Sequence, residues 1–273
     1  MFTKYLVEFR MQTINIRKLS KKYSFKTAVN DLNLQVEQGT ILGFVGPNGA
    51  GKTTTVNMLT GVLPPTSGAI TLLGLDLEQK SQRIKRRIGV VPEELALFEH
   101  LRGREQLYFT ARVYGLEKAT ITERMHELFE IFGLQGEEDK FVHQYSKGMK
   151  KKLAFMCAII HEPEILFLDE PFEGLDPIST KVMQDNLKLM SQNGVTVFLT
   201  SHNLSMVEEL CHEVAIIHEG ALVFQSATRD IRSRIKDELS GETYGDLEQL
   251  FLDLVSSNNE TRYLSWLKKQ RIQ

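Results

Sequence analysis

Apolar residues recur at every second position in two stretches near the N-terminus, Ile14 and Ile16 and then Leu32, Leu34 and Val36. This pattern predicts two short, half-buried strands joined through a turn region at Lys21-Lys22-Tyr23. After Gln38-Gly39 comes a continuous apolar run, Ile41-Leu42-Gly43-Phe44-Val45, of the kind covered on both faces of a sheet. A glycine-rich loop from Gly46 to Gly51 interrupts it. Lys52 to Thr60 then predicts a helix, closed by Gly61 and Pro64-Pro65, and Ala69 to Leu73 returns as a strand.

The period changes in the middle of the chain. Arg104 to Tyr114 and Ala119 to Phe132 are helical, the second carrying Ile121, Met125, Leu128, Phe129 and Phe132 on one face, and Gly115 and Gly133 end them. A further helix runs from Ser146 to about Ile160. Strand-like runs resume at Ile165–Leu168, Val195–Thr200, Val214–Ile217 and Leu222–Phe224. Strands separated by helices predict a parallel α/β core. The helices between about 93 and 160 then form an insertion on that core, and residues 226–273 form a polar helical extension with Leu247, Leu250, Phe251 and Leu254 on one face.

The 273 residues, 42% of them hydrophobic, are enough to fill a core and exclude disorder as a description of the whole. Lys plus Arg number 33 against 35 for Asp plus Glu, a net charge of −2, which argues against a general nucleic-acid binder. Cys157 and Cys211 have apolar neighbours and no metal-ligand spacing, so they read as reduced core thiols. The longest apolar run, Leu153 to Ile160, falls well short of the roughly 18 to 20 residues of a spanning helix. Lys4, Glu8 and Arg10 break up any signal-peptide core, and Met11 offers an alternative start. A soluble cytoplasmic protein is expected.

The candidate chemistry begins at Gly46-Pro47-Asn48-Gly49-Ala50-Gly51-Lys52-Thr53, which fits G-x-x-x-x-G-K-[ST] between a strand and a helix. Such a loop wraps backbone N–H groups around phosphates at a helix N-terminus. Lys52 reaches the β- and γ-phosphates, and Thr53 offers its hydroxyl to Mg²⁺. Ile165-Leu166-Phe167-Leu168-Asp169-Glu170-Pro171 is a buried strand ending in two carboxylates. Asp169 is a candidate Mg²⁺ ligand, and Glu170 is a candidate base beside the γ-phosphate.

Together with Tyr145-Ser146-Lys147-Gly148-Met149, Gly174-Leu175-Asp176 and Thr200-Ser201-His202, in that order, these motifs make residues 12 to 225 resemble an ATP-binding cassette (ABC) transporter ATPase. The resemblance implies an α/β fold: a P-loop NTPase core with a mainly parallel sheet, an N-terminal antiparallel β subdomain and an inserted α-helical subdomain. It implies ATP and Mg²⁺ as ligands. The nucleotide would be contacted by Gly46, Pro47, Asn48, Gly49, Ala50, Gly51, Lys52, Thr53 and Thr54, with Tyr23 stacking on adenine. His202 would contact the γ-phosphate and join Lys52 and Glu170 in catalysis. Two such subunits, as a homodimer or with a homologue, would sandwich ATP between one P-loop and the other's Ser146 and Gly148, with Asp176 linking the sites.

The signature departs from the family's Leu-Ser-Gly-Gly-Gln but keeps Ser146 and Gly148, and Glu93 stands where most members have glutamine. A carboxylate there still binds Mg²⁺ or its water but cannot donate as an amide does. Both variants resemble the drug- and lipid-exporting ABC-2 type subfamily. The expected function is therefore an exporter's ATPase subunit, peripheral on the cytoplasmic membrane face and driving a separately encoded transmembrane permease, with no nucleic-acid partner. Glu93 to Tyr108 would face the permease. Alternatives from other classes are an ABC ATPase acting on nucleic acid or ribosomes and an ATP-binding regulatory subunit without turnover. His143, His161, His212 and His218 lack ligand spacing and read as structural or solvated; Lys147, Lys150, Lys151 and Lys152 read as a solvated face or electrostatic support for ATP.

Overall fold

The computed structural model describes residues 11–234 and 246–256. Its first half runs β1 (Gln12–Tyr23), β2 (Lys26–Glu37), β3 (Ile41–Val45), α1 (Lys52–Leu59), β4 (Ser67–Leu72), β5 (Leu75–Asp76), α2 (Leu77–Lys85), β6 (Ile88–Val91), α3 (Gly103–Val113) and α4 (Lys118–Ile131). The second continues with α5 (Lys147–Ile159), β7 (Ile165–Asp169), α6 (Pro177–Gln192), β8 (Thr196–Ser201), α7 (Leu204–Leu210), β9 (Glu213–His218), β10 (Ala221–Ala227), α8 (Thr228–Arg234) and α9 (Leu247–Ser256).

The strands form two sheets. One is antiparallel, in the order β2-β1-β4-β5; the other follows β10-β9-β3-β8-β7-β6, parallel from β9 to β6, with β10 antiparallel at its edge. Side chains alternate across each strand. Leu42 and Phe44 of β3, with Phe167 and Phe198, pack between the two sheets, while Ile41 and Val45 face a second core shared with the helices. Every residue of β3, β7 and β8 is buried, as expected of strands covered on both faces.

The turn expected at Lys21 to Tyr23 is displaced. β1 runs on through these residues, pairing Lys21 with Val29 and Tyr23 with Lys26 across bulges in the ladder, and Ser24-Phe25 makes the turn. Bulges shift the side-chain alternation without ending the backbone pairing, so a reading by alternation stops the strand too early.

Leu107, Ile121, Phe129 and Phe155 from the three helices between β6 and β7 join the same core as Val91, Leu166 and Leu168 of the sheet. Leu247 and Leu250 of α9 are buried in that core, and Phe251 and Leu254 pack on its margin. Full burial of a leucine side chain is worth about 1.5–3 kcal/mol, which docks this helix. Within the expected extension, residues 235–245 and 257–273 lie outside the described residues, as does the stretch before Met11. Cys211 is buried and Cys157 partly so, both unbridged, and burial pushes the Cys157 thiol up to about 12.

Candidate functional site

The parallel register brings the chemistry to one edge. Val45 pairs with Ser201, Thr200 with Asp169, and Leu168 with Val91, so the segments leaving β3, β8, β7 and β6 emerge side by side. These carry the Gly46–Gly51 loop, His202, Glu170 and Glu93 respectively. Ligands of open α/β sheets bind outside the carboxyl ends of the strands.

The loop after β3 is shaped by close packing. Gly51 has φ +108° and a Cβ there would come within 2.4 Å of the Ala28 carbonyl oxygen, so a side chain is excluded both by conformation and by the approach of β2. α1 starts immediately afterwards, and no side chain caps its N-terminus, leaving its first N–H groups free for an anion. Lys52 Nζ curls back to donate to the carbonyls of Gly46 (2.7 Å) and Pro47 (3.3 Å). Thr53 Oγ1 donates to Glu93 Oε2 at 3.1 Å. Pro47 and Thr54 are part-buried, Asn48 and Gly49 exposed, and Gly46 and Ala50 buried. Tyr23 is half-exposed beside the β1–β2 turn, and the ammonium of Lys21 lies 5.5 Å from its ring centroid.

Asp169 is 1% exposed and accepts a short hydrogen bond from Thr200 Oγ1. The same hydroxyl accepts from the backbone N–H of Glu170 at 3.0 Å. Glu170 adopts a left-handed conformation, φ +47°, uncommon outside glycine. Its Oε2 lies 3.0 Å from Nδ1 of His202. Its carbonyl accepts from Nζ of Lys151 at 2.5 Å. Lys151 is 2% exposed, so it does not lie on the solvated face expected for the lysine run. Burial lowers its pKa while the carboxylate of Glu173 opposes the shift.

A second group is assembled on α5 and the start of α6. Ser146 is the N-cap of α5, its Oγ accepting from Met149 N at 3.2 Å. Asp176 caps α6, accepting from Ser179 N at 2.9 Å and from the Ser179 hydroxyl, bonds that hold its carboxyl below the usual range. A Cβ on Gly148 would approach the Gly174 carbonyl oxygen to 3.2 Å, so this helix start lies against the segment that follows β7. The departures from the usual signature have structural uses. Tyr145 is buried and donates its hydroxyl to the Glu137 carbonyl at 2.7 Å; burial pushes its pKa up to about 12. Lys147 pairs with Glu173 at 2.8 Å.

The four histidines set aside in the sequence have structural partners or exposed positions. His212 Nδ1 accepts from Ile41 N at 3.0 Å, His161 stacks on Tyr114 with centroids 3.5 Å apart, His143 stacks on Phe141, and His218 ends β9. The sequence names Thr200 only within Thr200-Ser201-His202 and Lys151 only within its lysine run, neither as a partner of Glu170. Thr200 follows an apolar run and precedes Ser201-His202, a signal that only the strand register converts into a contact. Lys151 is hidden within its lysine run.

The family model described as "ABC transporter" matches residues 29–173. The chain is 43% identical to the bacitracin transport ATP-binding protein BcrA of Bacillus licheniformis over 206 residues, covering 75% of this chain and 66% of that protein. It is 34% identical to the linearmycin resistance ATP-binding protein LnrL of Bacillus subtilis over 248 residues, covering 90% of this chain and 79% of the relative. Among solved structures, an ATP-binding subunit of an ABC transporter superposes with a TM-score of 0.82 at 30% identity, over 89% of this chain and 99% of that one.

Proposed function

The chain belongs to the ABC transporter family of ATP-binding proteins, and from that premise we propose that it binds and hydrolyses ATP as the energy-supplying subunit of an exporter, acting on a separately encoded transmembrane permease. The observation that carries this reading is the convergence of Lys52, Thr53, Glu93, Asp169, Glu170 and His202 at the carboxyl ends of four adjacent strands. Among the described residues Lys52 hydrogen-bonds only to carbonyls, an ammonium ready to exchange them for phosphate oxygens. Nucleotide contact extends over Gly46 to Thr54, with Tyr23 against the adenine.

Thr53, Glu93 and Asp169 supply hydroxyl and carboxylate oxygens, a donor set that suits Mg²⁺. Among the described residues no group of three or more His, Cys, Asp or Glu side chains forms a metal site. Thr53, Glu93 and Asp169 would hold only part of its coordination, so these residues suit an ion bound together with the triphosphate. When bound, it neutralises charge on the phosphates. Glu170 is the group that orients and deprotonates water, and His202 holds the Glu170 carboxylate while offering its other nitrogen toward the γ-phosphate.

Ser146 and Gly148 stand at the N-terminus of a helix of 13 residues, where a second subunit's γ-phosphate would find hydroxyl, N–H and dipole. The working unit in this proposal is a pair of cassettes, each completing the other's site. No helix among the described residues is long and apolar enough to cross a membrane. In this proposal the permease is a separate chain and the subunit lies on the cytoplasmic membrane face. Its docking surface is the exposed pair Phe98 and Phe109, whose rings pack edge to face at 5.4 Å.

Equilibrium binding of ATP with Mg²⁺ to the full chain tests the site. Wild type should bind, and Lys52→Ala should lose most of its affinity. Equal affinity in the two would refute the phosphate assignment.

A further inference from the structure

Both backbone groups of Glu170 are held by side chains from different elements. Its N–H donates to the Thr200 hydroxyl on β8, and its carbonyl accepts from the Lys151 ammonium on α5. Glu170 sits at φ +47°, a conformation that persists where surrounding contacts fix it. We infer that Lys151 is a positioning residue, which holds the Glu170 peptide so that its carboxylate stays against His202 and thereby ties the start of α5 to hydrolysis. This rests on the ATPase reading above.

A merely space-filling role does not account for Lys151. Its neighbours along α5, Leu153, Ala154 and Phe155, are buried and apolar, and an apolar side chain would occupy the position without the cost of dehydrating an ammonium. The ammonium instead donates to the carbonyl of the residue with the catalytic carboxylate, near the carboxylates of Glu173, Glu170 and Asp169. Two further contacts tie the same helix to the same segment: the Lys147–Glu173 ion pair at 2.8 Å, and the Gly148 approach to Gly174. Displacement of Ser146 at the helix start is therefore transmitted to Glu170 through Lys151, one turn and a half further along α5.

The test uses the full chain with Lys151→Met, Lys151→Gln and Glu170→Gln, alone and combined. Lys151→Met should lower kcat by about 10- to 100-fold, the range of a small misplacement of a reacting group, while ATP affinity changes less than about 2-fold. Lys151→Gln keeps an N–H donor without the charge and should recover part of that loss. In the Glu170→Gln background, Lys151→Met should cost little further turnover, because the group it positions is already gone. Equal losses in both backgrounds, or a fall in affinity matching the fall in kcat, would overturn the inference. If Lys151→Met does not fold, Lys151→Gln carries the same cycle.

Hydrogen exchange supplies a readout that does not depend on turnover. Peptides covering Leu168 to Phe172 should exchange faster in Lys151→Met, with β3 and β8 unchanged. Unaltered exchange there would refute the clamp. A wild-type chain that binds ATP without hydrolysing it would refute the ATPase reading alone, leaving the exchange result to decide the clamp.

Discussion

Nδ1 of His202 lies 3.0 Å from Oε2 of Glu170, with the histidine side chain 64% exposed and the glutamate side chain 13% exposed. The two belong to adjacent strand ends, and they differ in environment: the carboxylate is mostly buried, and the imidazole beside it is exposed.

Glu170→Gln removes the proposed base and preserves the shape. Turnover should fall about 10²-fold or more, with ATP still bound. His202→Ala should also slow turnover, and the double variant should be no slower than the slower single, as for residues that act as a unit. Single-turnover hydrolysis by the four proteins measures this; multiplicative losses would mean that the pair acts independently.

Ser146 has an N-cap role in the structure and a separable one in the proposed shared site. As N-cap of α5 it supports the fold, and its replacement by Ala should cost about 1 kcal/mol. Aspartate caps equally well but places a negative charge where the partner's γ-phosphate is proposed to lie. Ser146→Asp should therefore keep wild-type thermal stability and lose ATP-driven dimerisation, whereas Ser146→Ala should lose some of both. Light scattering with and without ATP, alongside thermal melts, distinguishes them.

The strands that build the site were legible because they are buried on both faces: Ile41–Val45 and Ile165–Asp169 stand out as apolar runs. α2 was not, since only Leu77 and Ile84 of its nine residues are buried, too sparse a stripe to show a period. Nor was β6, a four-residue strand whose identity comes from pairing with β7. α6 starts with the Asp176 cap and Pro177, local signals that pass for a turn until Met183 and Leu187 find the core. The Gly46–Thr53 motif is local in sequence, and its setting between β3 and α1 could be read directly. The Glu170 environment could not, because Thr200 and Lys151 reach it from 30 and 19 residues away.

Leu97 and Phe98 are neighbours with different fates. Leu97 packs against the helical core, while Phe98 is 55% exposed beside Phe109. Phe98→Glu and Phe109→Glu should fold and bind ATP normally and lose copurification with the permease. Leu97→Glu should destabilise the isolated subunit by placing a charge against apolar neighbours. If Phe98→Glu still copurifies with the permease, docking lies elsewhere.

His161 should give the stability a dependence on mild acid. Its ring stacks on Tyr114, Nε2 donates to the Ile88 carbonyl at 3.0 Å, and Nδ1 is buried without a partner. Burial lowers its pKa, and the Arg124 charge adds to the shift, although the bond to Ile88 opposes it. The sign follows from linkage. The folded-state pKa is below the unfolded value of about 6.5, so the unfolded chain takes up the proton first. Stability is then full above about pH 6.5 and falls as the pH drops from there toward the folded pKa, with a slope of at most about 1.4 kcal/mol per pH unit for one proton. His161→Phe keeps the stack and removes the titration. Thermal melts between about pH 7.5 and pH 5.5 should show a smaller loss of Tm in the variant than in wild type. The variant should also start lower at neutral pH, since the Ile88 carbonyl loses its donor. Parallel pH profiles would show that His161 carries no such linkage.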